Sequence, residues 1–178
     1  ARMLRVPGRD APTAARILRD GAIRRVDVGR LEGGDRGPEF FCNNVGLAFM
    51  ADANAAHEKT RALPGRLSYS LGGAGAFLRF KADPLTVDVD GVSISGRFMI
   101  VHVGLGKYCG GGVCLTPDAA LDNGTLDVCV VAERSKLKGF LQWPQLSKGL
   151  KLDDVTVLRG ARIRIHGPRD MLAHADGE

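Results

Sequence analysis

Gly106–Val131 reads GKYCGGGVCLTPDAALDNGTLDVCVV, and its punctuation decides the fold class. Three consecutive glycines, Gly110, Gly111 and Gly112, are costly to order, because glycine loses more backbone entropy on folding than any other residue. They belong where the chain takes a positive φ or lets another group come close. A Thr116-Pro117-Asp118 turn follows, then Asp122-Asn123-Gly124, a strong chain-reversal signal. The next run, Thr125 to Val131, predicts a strand, with Val128, Val130 and Val131 supplying β-branched side chains. The order is therefore strand, glycine bulge, acidic turn, strand.

Working outward, Leu85 to Val103 predicts a hairpin. Leu85, Val87 and Val89 alternate, Asp90-Gly91 turns, and Val92, Ile94, Phe98, Ile100 and Val101 return. His102 lies among apolar residues and reads as a core histidine with its hydrogen bonds satisfied. Strands are also expected at Val155–Leu158 and Ala161–Ile165, where Arg162 and Arg164 alternate with Ile163 and Ile165. Ile23, Val26 and Val28 start another. Phe40 to Phe49 is an apolar run broken by Asn43, Asn44 and Gly46, a buried strand whose Asn side chains bond local backbone.

Helices are fewer. Ala1–Val6 reads as a helix end stopped by Pro7-Gly8. Asp10 caps a short helix with Pro12 in its first turn and Gly21 at its end. Asp52–Leu63 carries helix formers, and Leu67, Leu71, Ala74 and Leu78 recur at helical spacing. There Gly72, Gly73 and Gly75 each weaken the helix by roughly 1 kcal/mol relative to Ala and invite close packing. Lys136–Gln142 predicts a last helix, ending before Trp143-Pro144, with Trp143 as a packing anchor.

The chain of 178 residues can bury a good core and is most simply one domain. Its 24 glycines and 6% aromatics suit a turn-rich β protein better than a helical bundle. It has no long apolar run of membrane-spanning length and no signal-peptide pattern at its start. Cys42, Cys109, Cys114 and Cys129 form no C-x-x-C pair and have no histidine at zinc-ligand spacing, so they read as reduced, mostly buried side chains in a cytoplasmic protein. Residues 1–30 hold eight arginines against Asp10, Asp20 and Asp27, an excess equal to the net charge of +5. No aromatics interleave with them, so the pattern suits a solvated face, or one facing phosphates or lipid headgroups, rather than nucleic acid. Gly33-Gly34-Asp35 is not a phosphate loop, since neither Gly-Thr nor a helix follows it.

The ordered set G-x-Y-x-G-G-G (from Gly106), P-x-A-x-x-D-N-G-x-L-D-V (from Pro117) and a closing Asp176-Gly177-Glu178 resembles the second domain of the diacylglycerol kinase and sphingosine kinase group, and the bacterial diacylglycerol-kinase-like members most. Asp27-Val28-Gly29 resembles that group's V-D-V-G strand, and Phe40–Phe49 its Y-F-L-N-V-A-G segment. Leu105 departs from the pattern, standing where the group usually places Asn.

The resemblance implies a mainly β (α+β) fold: an antiparallel two-sheet sandwich with peripheral helices, the second domain of an NAD kinase/diacylglycerol kinase-like architecture. Residues 1–21 would lead in from an N-terminal nucleotide-binding domain outside this chain. It implies transfer of the γ-phosphate of ATP to diacylglycerol or a related lipid alcohol at a peripheral, cytoplasmic membrane face, and leaves room for a homodimer. Glu178 would accept the proton of the attacking hydroxyl, with the frayed end of the chain around it. Gly110, Gly111 and Gly112 would shape the cleft floor, and Asn44 a substrate side of it. Mg²⁺ would sit on the carbonyl of Ala120, the side chain of Asn123 and the carbonyl of Thr125. Asn123 stands where an Asp is usual, which lowers the affinity, and Asp122 offers a substitute. This chain alone would be inactive. Three alternatives stay open: an NAD kinase-like or polyphosphate-dependent enzyme, a non-enzymatic lipid- or sugar-binding sandwich, and an interaction domain docking through its basic N-terminal face.

Overall fold

Asp90 and Gly91 both take positive φ, 50° and 91°, the geometry that matches a two-residue turn to the natural twist of paired strands. That turn joins β4 (Pro84–Val89) to β5 (Val92–Gly104), in register from Pro84–Arg97 to Val89–Val92. β5 is long, and it changes partners at a bulge between Phe98 and Ile100. Its first half pairs with β4, which pairs in turn with β8 (Ile163–His166). Its second half lies between β6 (Leu126–Ala132) and β3 (Asn44–Ala48). The outer strands of that larger sheet are β7 (Val155–Gly160) and β9 (Ala173–Ala175), giving the order β7-β6-β5-β3-β9, all antiparallel. A separate ribbon pairs β1 (Gly29–Leu31) with β2 (Glu39–Phe41). The computed structural model describes residues 10–33, 37–59 and 73–178.

The sandwich follows from that shared strand. Leu85, Val87 and Val89 of β4 face Val101 and Val103 of β5, Val128 and Val130 of β6, and Val45 and Leu47 of β3 in one core cluster. The opposite face of the larger sheet is covered by α2 (Phe49–Lys59), α3 (helical residues 73–79), α4 (Lys136–Leu146) and the loop after β5. Phe49, Ile100, Leu115, Cys129, Val131 and Leu146 form this second cluster. β6 is therefore buried on both sides, which is why Val128-Cys129-Val130-Val131 is apolar without alternation. Cys109, Cys114 and Cys129 are buried free thiols, and Cys42 is an exposed one.

Local expectations hold where a cap or turn dictates them. Asp10 Oδ1 accepts from the Thr13 N–H at 3.0 Å and starts α1 (Ala11–Asp20). They fail in four places. Phe40–Phe49 is not one buried strand: a bend at Cys42 and Asn43 separates β2 from β3, Phe40 is 70% exposed, and Phe49 already begins α2. Residues 21–28 form no strand; Ile23 is fully exposed, and pairing starts only at Gly29, where Phe41 packs against the glycine. The helix expected to stop at Gln142 runs through Pro144 to Leu146. Pro144 removes one N–H in the last turn, but the Ser147 N–H donates to the Trp143 carbonyl at 2.8 Å and Leu146 anchors the end in the core. Trp143 is 38% exposed, so it anchors no core. The expected helix end at Ala1–Val6, residues 60–63 of the next helix, and Leu67, Leu71 and Gly72 lie outside the described residues.

α4 is held from beneath. Arg134, with its side chain 2% exposed, meets the Asp154 carboxylate at 3.0 Å and donates to Gln142 Oε1 at 2.8 Å. The Lys138 ammonium reaches the same carboxylate at 3.1 Å. Breaking a buried pair from one side leaves the other charge uncompensated. Asp154→Ala is therefore expected to lower unfolding stability by about 3 kcal/mol in urea titrations, whereas Lys138→Ala, removing a half-exposed charge, costs under about 1 kcal/mol.

Candidate functional site

Ala175-Asp176-Gly177-Glu178 closes as a tight turn. The Glu178 N–H donates to the Ala175 carbonyl at 2.9 Å, and the Ala175 N–H donates back to the Glu178 carbonyl at 3.1 Å. Asp176 and Gly177 have φ of 53° and 97°, the signs an Asp-Gly reversal favours. The Asp176 carboxylate then binds the bend between β2 and β3. Its Oδ1 accepts from the N–H groups of Asn43 and Asn44, both at 2.9 Å, and its Oδ2 from that of Cys42 at 2.7 Å. The Asp176 N–H donates to the Asn44 carbonyl at 2.8 Å, and α2 adds the Asn54 amide, which donates to the Gly177 carbonyl at 3.0 Å. The end of the chain is thus pinned at its backbone rather than frayed, while the Glu178 residue stays exposed.

The same bend carries the glycine loop. The Asn43 carbonyl accepts from Leu105 N–H at 2.8 Å and Gly106 N–H at 3.1 Å, and the Asn43 amide donates to the Tyr108 carbonyl at 3.1 Å. Gly110–Gly112 form one 3₁₀ turn, with Gly112 at φ 83°, between bridged Tyr108 and Cys114. One residue, Asn43, therefore joins the loop holding Gly110, Gly111 and Gly112 to the turn holding Glu178. Asn44 is buried on the helix-covered face, and its Oδ1 has no hydrogen-bond partner; its backbone, not its side chain, holds the bend.

Behind the turn lies a buried polar cluster. Strand register puts Gly46 between His102 on β5 and His174 on β9. A Cβ on Gly46 would stand 2.2 Å from His174 Nε2, so only glycine lets the imidazole cross β3 there. His102 is fully buried, yet both its ring nitrogens lack a hydrogen-bond partner, as does His174 Nδ1. The expected burial of His102 holds, and no protein group bonds to either ring nitrogen. Burial first, and His174 second, push the His102 pKa down to about 3. Burial also lowers that of His174, against an opposing pull from Asp176.

The Ala120–Thr125 loop belongs to another neighbourhood, tied to residues 24–27. Asn123 Oδ1 accepts from Thr125 N–H at 3.1 Å and lies 2.9 Å from Thr125 Oγ1. Asp27 Oδ2 accepts from Gly124 N–H at 2.8 Å, and Arg24 pairs with Asp122 at 2.6 Å. The one neutral side-chain oxygen offered to Mg²⁺ is already engaged, and the adjacent carboxylate already faces an arginine. Among the described residues no cluster of His, Cys, Asp and Glu is placed to hold an ion. The loop is thus short of free anionic oxygen for a divalent cation. The parts played by Asp27, Asp176 and His174 were missed in the sequence, because each acts across a long separation; only the positive-φ preference of Asp-Gly marked the turn itself.

Residues 43–178 match the family model described as the YegS C-terminal NAD kinase beta sandwich-like domain. The chain is 24% identical to a diacylglycerol kinase of Bacillus subtilis over all of its own length and 58% of that protein's. It is 25% identical to a diacylglycerol kinase of Mycobacterium tuberculosis, again over its whole length and 58% of that protein's. A YegS-like protein of Pseudomonas fluorescens, named a probable lipid kinase, is 28% identical over 94% of this chain and 54% of its own. A crystal structure of a diacylglycerol kinase from Bacillus anthracis superposes with a TM-score of 0.65 at 21% identity, over 98% of this chain and 54% of that one, a likeness of fold. The chain thus spans a little over half the length of the relatives it matches.

The buried histidine gives a pH signature. His102 has a depressed folded pKa, so the unfolded chain takes up a proton near pH 6.5 while the folded chain refuses it down to about 3. The stability it contributes above pH 6.5 is therefore lost as pH falls, by roughly 1.4 kcal/mol per pH unit in that window. Thermal melts should fall steeply from pH 6.5 to 4, and His102→Leu should flatten that limb; an identical slope in the variant would rule His102 out as its source.

Proposed function

The chain belongs to the family of YegS C-terminal NAD kinase beta sandwich-like domains, and we propose that it serves as the second domain of an ATP-dependent lipid kinase. In this reading the γ-phosphoryl group of ATP passes to the hydroxyl of diacylglycerol or a similar lipid alcohol. ATP would be held mainly by a nucleotide-binding domain beyond this chain, and the work would be done at a cytoplasmic membrane surface. Among the described residues, no helix is long and apolar enough to cross a membrane.

The observation that carries the reading is the pinned Asp176-Gly177-Glu178 turn, which leaves an exposed carboxylate on a fixed backbone. Phosphoryl transfer needs little covalent help from the protein; it needs positioning and one base for the hydroxyl. Glu178 would take the proton as the hydroxyl oxygen bonds to the γ-phosphorus and the bond to ADP breaks. Asp176 would act through Glu178, as a positioning residue whose own oxygens are spent on three N–H groups. The Gly106–Gly112 loop, joined to that turn through Asn43, would line the same cleft. No step is routed through Mg²⁺ at the Ala120–Thr125 loop, given the occupied Asn123 oxygen.

The test uses a longer protein that includes the nucleotide-binding domain, radiolabelled ATP and a panel of lipid alcohols. Glu178→Gln should lower kcat by about a hundredfold or more without changing the melting temperature, and the chain of 178 residues alone should transfer nothing. Full activity in Glu178→Gln would remove the base assignment, and phosphorylation of NAD in place of every lipid would remove the lipid-kinase reading.

A further inference from the structure

α4 faces the wrong way for an ordinary surface helix. Its buried side carries Gly139 and Leu146. Its outward side carries Leu137, Phe140 and Leu141, exposed to 69%, 74% and 65%, with exposed Pro144 continuing the row at helical spacing. Soluble proteins scatter single exposed apolar side chains; a continuous row on one helix marks a surface that something covers.

The surroundings indicate what. Residues 135–152 hold four lysines and no acidic residue. Lys136 is spent inward, its ammonium donating to the Phe80 carbonyl at 2.7 Å and lying over the rings of Phe77 and Phe80. Lys138 is about half exposed beside Asp154, and Lys148 and Lys151 are exposed just past the helix, flanking exposed Leu150. Trp143, also exposed, stands at the edge of the row. Leucine and phenylalanine on one side, lysines around them and a tryptophan at the margin form the pattern of a helix lying in the headgroup layer of a membrane. A second protein copy fits less well, since a stable protein interface engages roughly 20 residues a side, and this row has four.

We propose that the outward face of α4 docks the domain on an anionic phospholipid bilayer, Leu137, Phe140 and Leu141 entering the acyl boundary while Lys148 and Lys151 meet lipid phosphates. The inference takes its purpose from the lipid-kinase reading and its geometry from α4 alone. Docking would hold the cleft at the surface where a diacylglycerol hydroxyl is presented.

Trp143, the single tryptophan, reports directly in the chain as it stands. Mixed with phosphatidylcholine–phosphatidylglycerol vesicles, its emission should shift to the blue and be quenched by lipids brominated on their acyl chains. Pure phosphatidylcholine should bind far more weakly, and added salt should release the protein. Phe140→Glu/Leu141→Glu should weaken vesicle binding at least about tenfold, and each of Lys148→Gln and Lys151→Gln about fivefold. These side chains are exposed, so circular dichroism should be unchanged; if the glutamate pair misfolds, the quenching of the parent decides. Unshifted Trp143 emission, glutamate variants that bind vesicles as the parent does, or a dimer dissolved by the same substitutions without vesicle binding would each overturn the proposal. A longer protein that phosphorylates micellar lipid but ignores vesicles loses the docking face alone. One that binds vesicles through α4 but transfers no phosphate loses the kinase reading alone.

Discussion

One carboxylate holds the candidate site together. Asp176 accepts three consecutive backbone N–H groups, from Cys42, Asn43 and Asn44. Charge-assisted bonds of this kind are roughly twice as strong as neutral ones, and these three fix a bend that would otherwise expose unpaired donors between two short strands. The bend in turn fixes the loop at Gly106 through the Asn43 carbonyl. Remove the carboxylate, and the turn bearing Glu178 keeps only its strand pairing with β3, the Asp176 N–H to Asn44 and the Asn54 amide to hold it against the bend. The Asp-Gly pair makes the reversal sharp; the acid makes it stay in one place.

Much of this fold was legible because it depends on neighbours in sequence. The Asp90-Gly91 hairpin, the Asp10 cap and the alternation of Ile163 and Ile165 follow from local chemistry, and the structure repeats them. The unalternating valines of β6 announced a strand but not its cause, which is burial by the opposing sheet on one side and helices on the other. What stayed hidden depends on distant partners. Ile23, Val26 and Val28 have strand propensity and no strand beside them. Pro144 looked like a stop, yet it falls where the last turn is closed by Ser147 and anchored by Leu146. The acidic Asp122 looked free for a cation, and Arg24 had already claimed it.

The histidine pair is a different kind of constraint. His102 and His174 meet over Gly46, buried and short of hydrogen-bond partners, directly behind the turn. A stability-maximising core would put apolar side chains there. Such polar burial concentrates at sites where sequence and packing disagree for a functional reason, and here it adjoins the strand that ends in Asp176 and Glu178. α4 shows the same disagreement on the outside, with apolar side chains where water should be.

The most direct test of the account is amide hydrogen exchange at Cys42, Asn43 and Asn44 in Asp176→Ala. If the carboxylate is the clamp, protection at these three amides drops at least tenfold while the central amides of β5 and β6 keep theirs. Unchanged protection at the three would contradict the account, and the position of Glu178 would then need another cause.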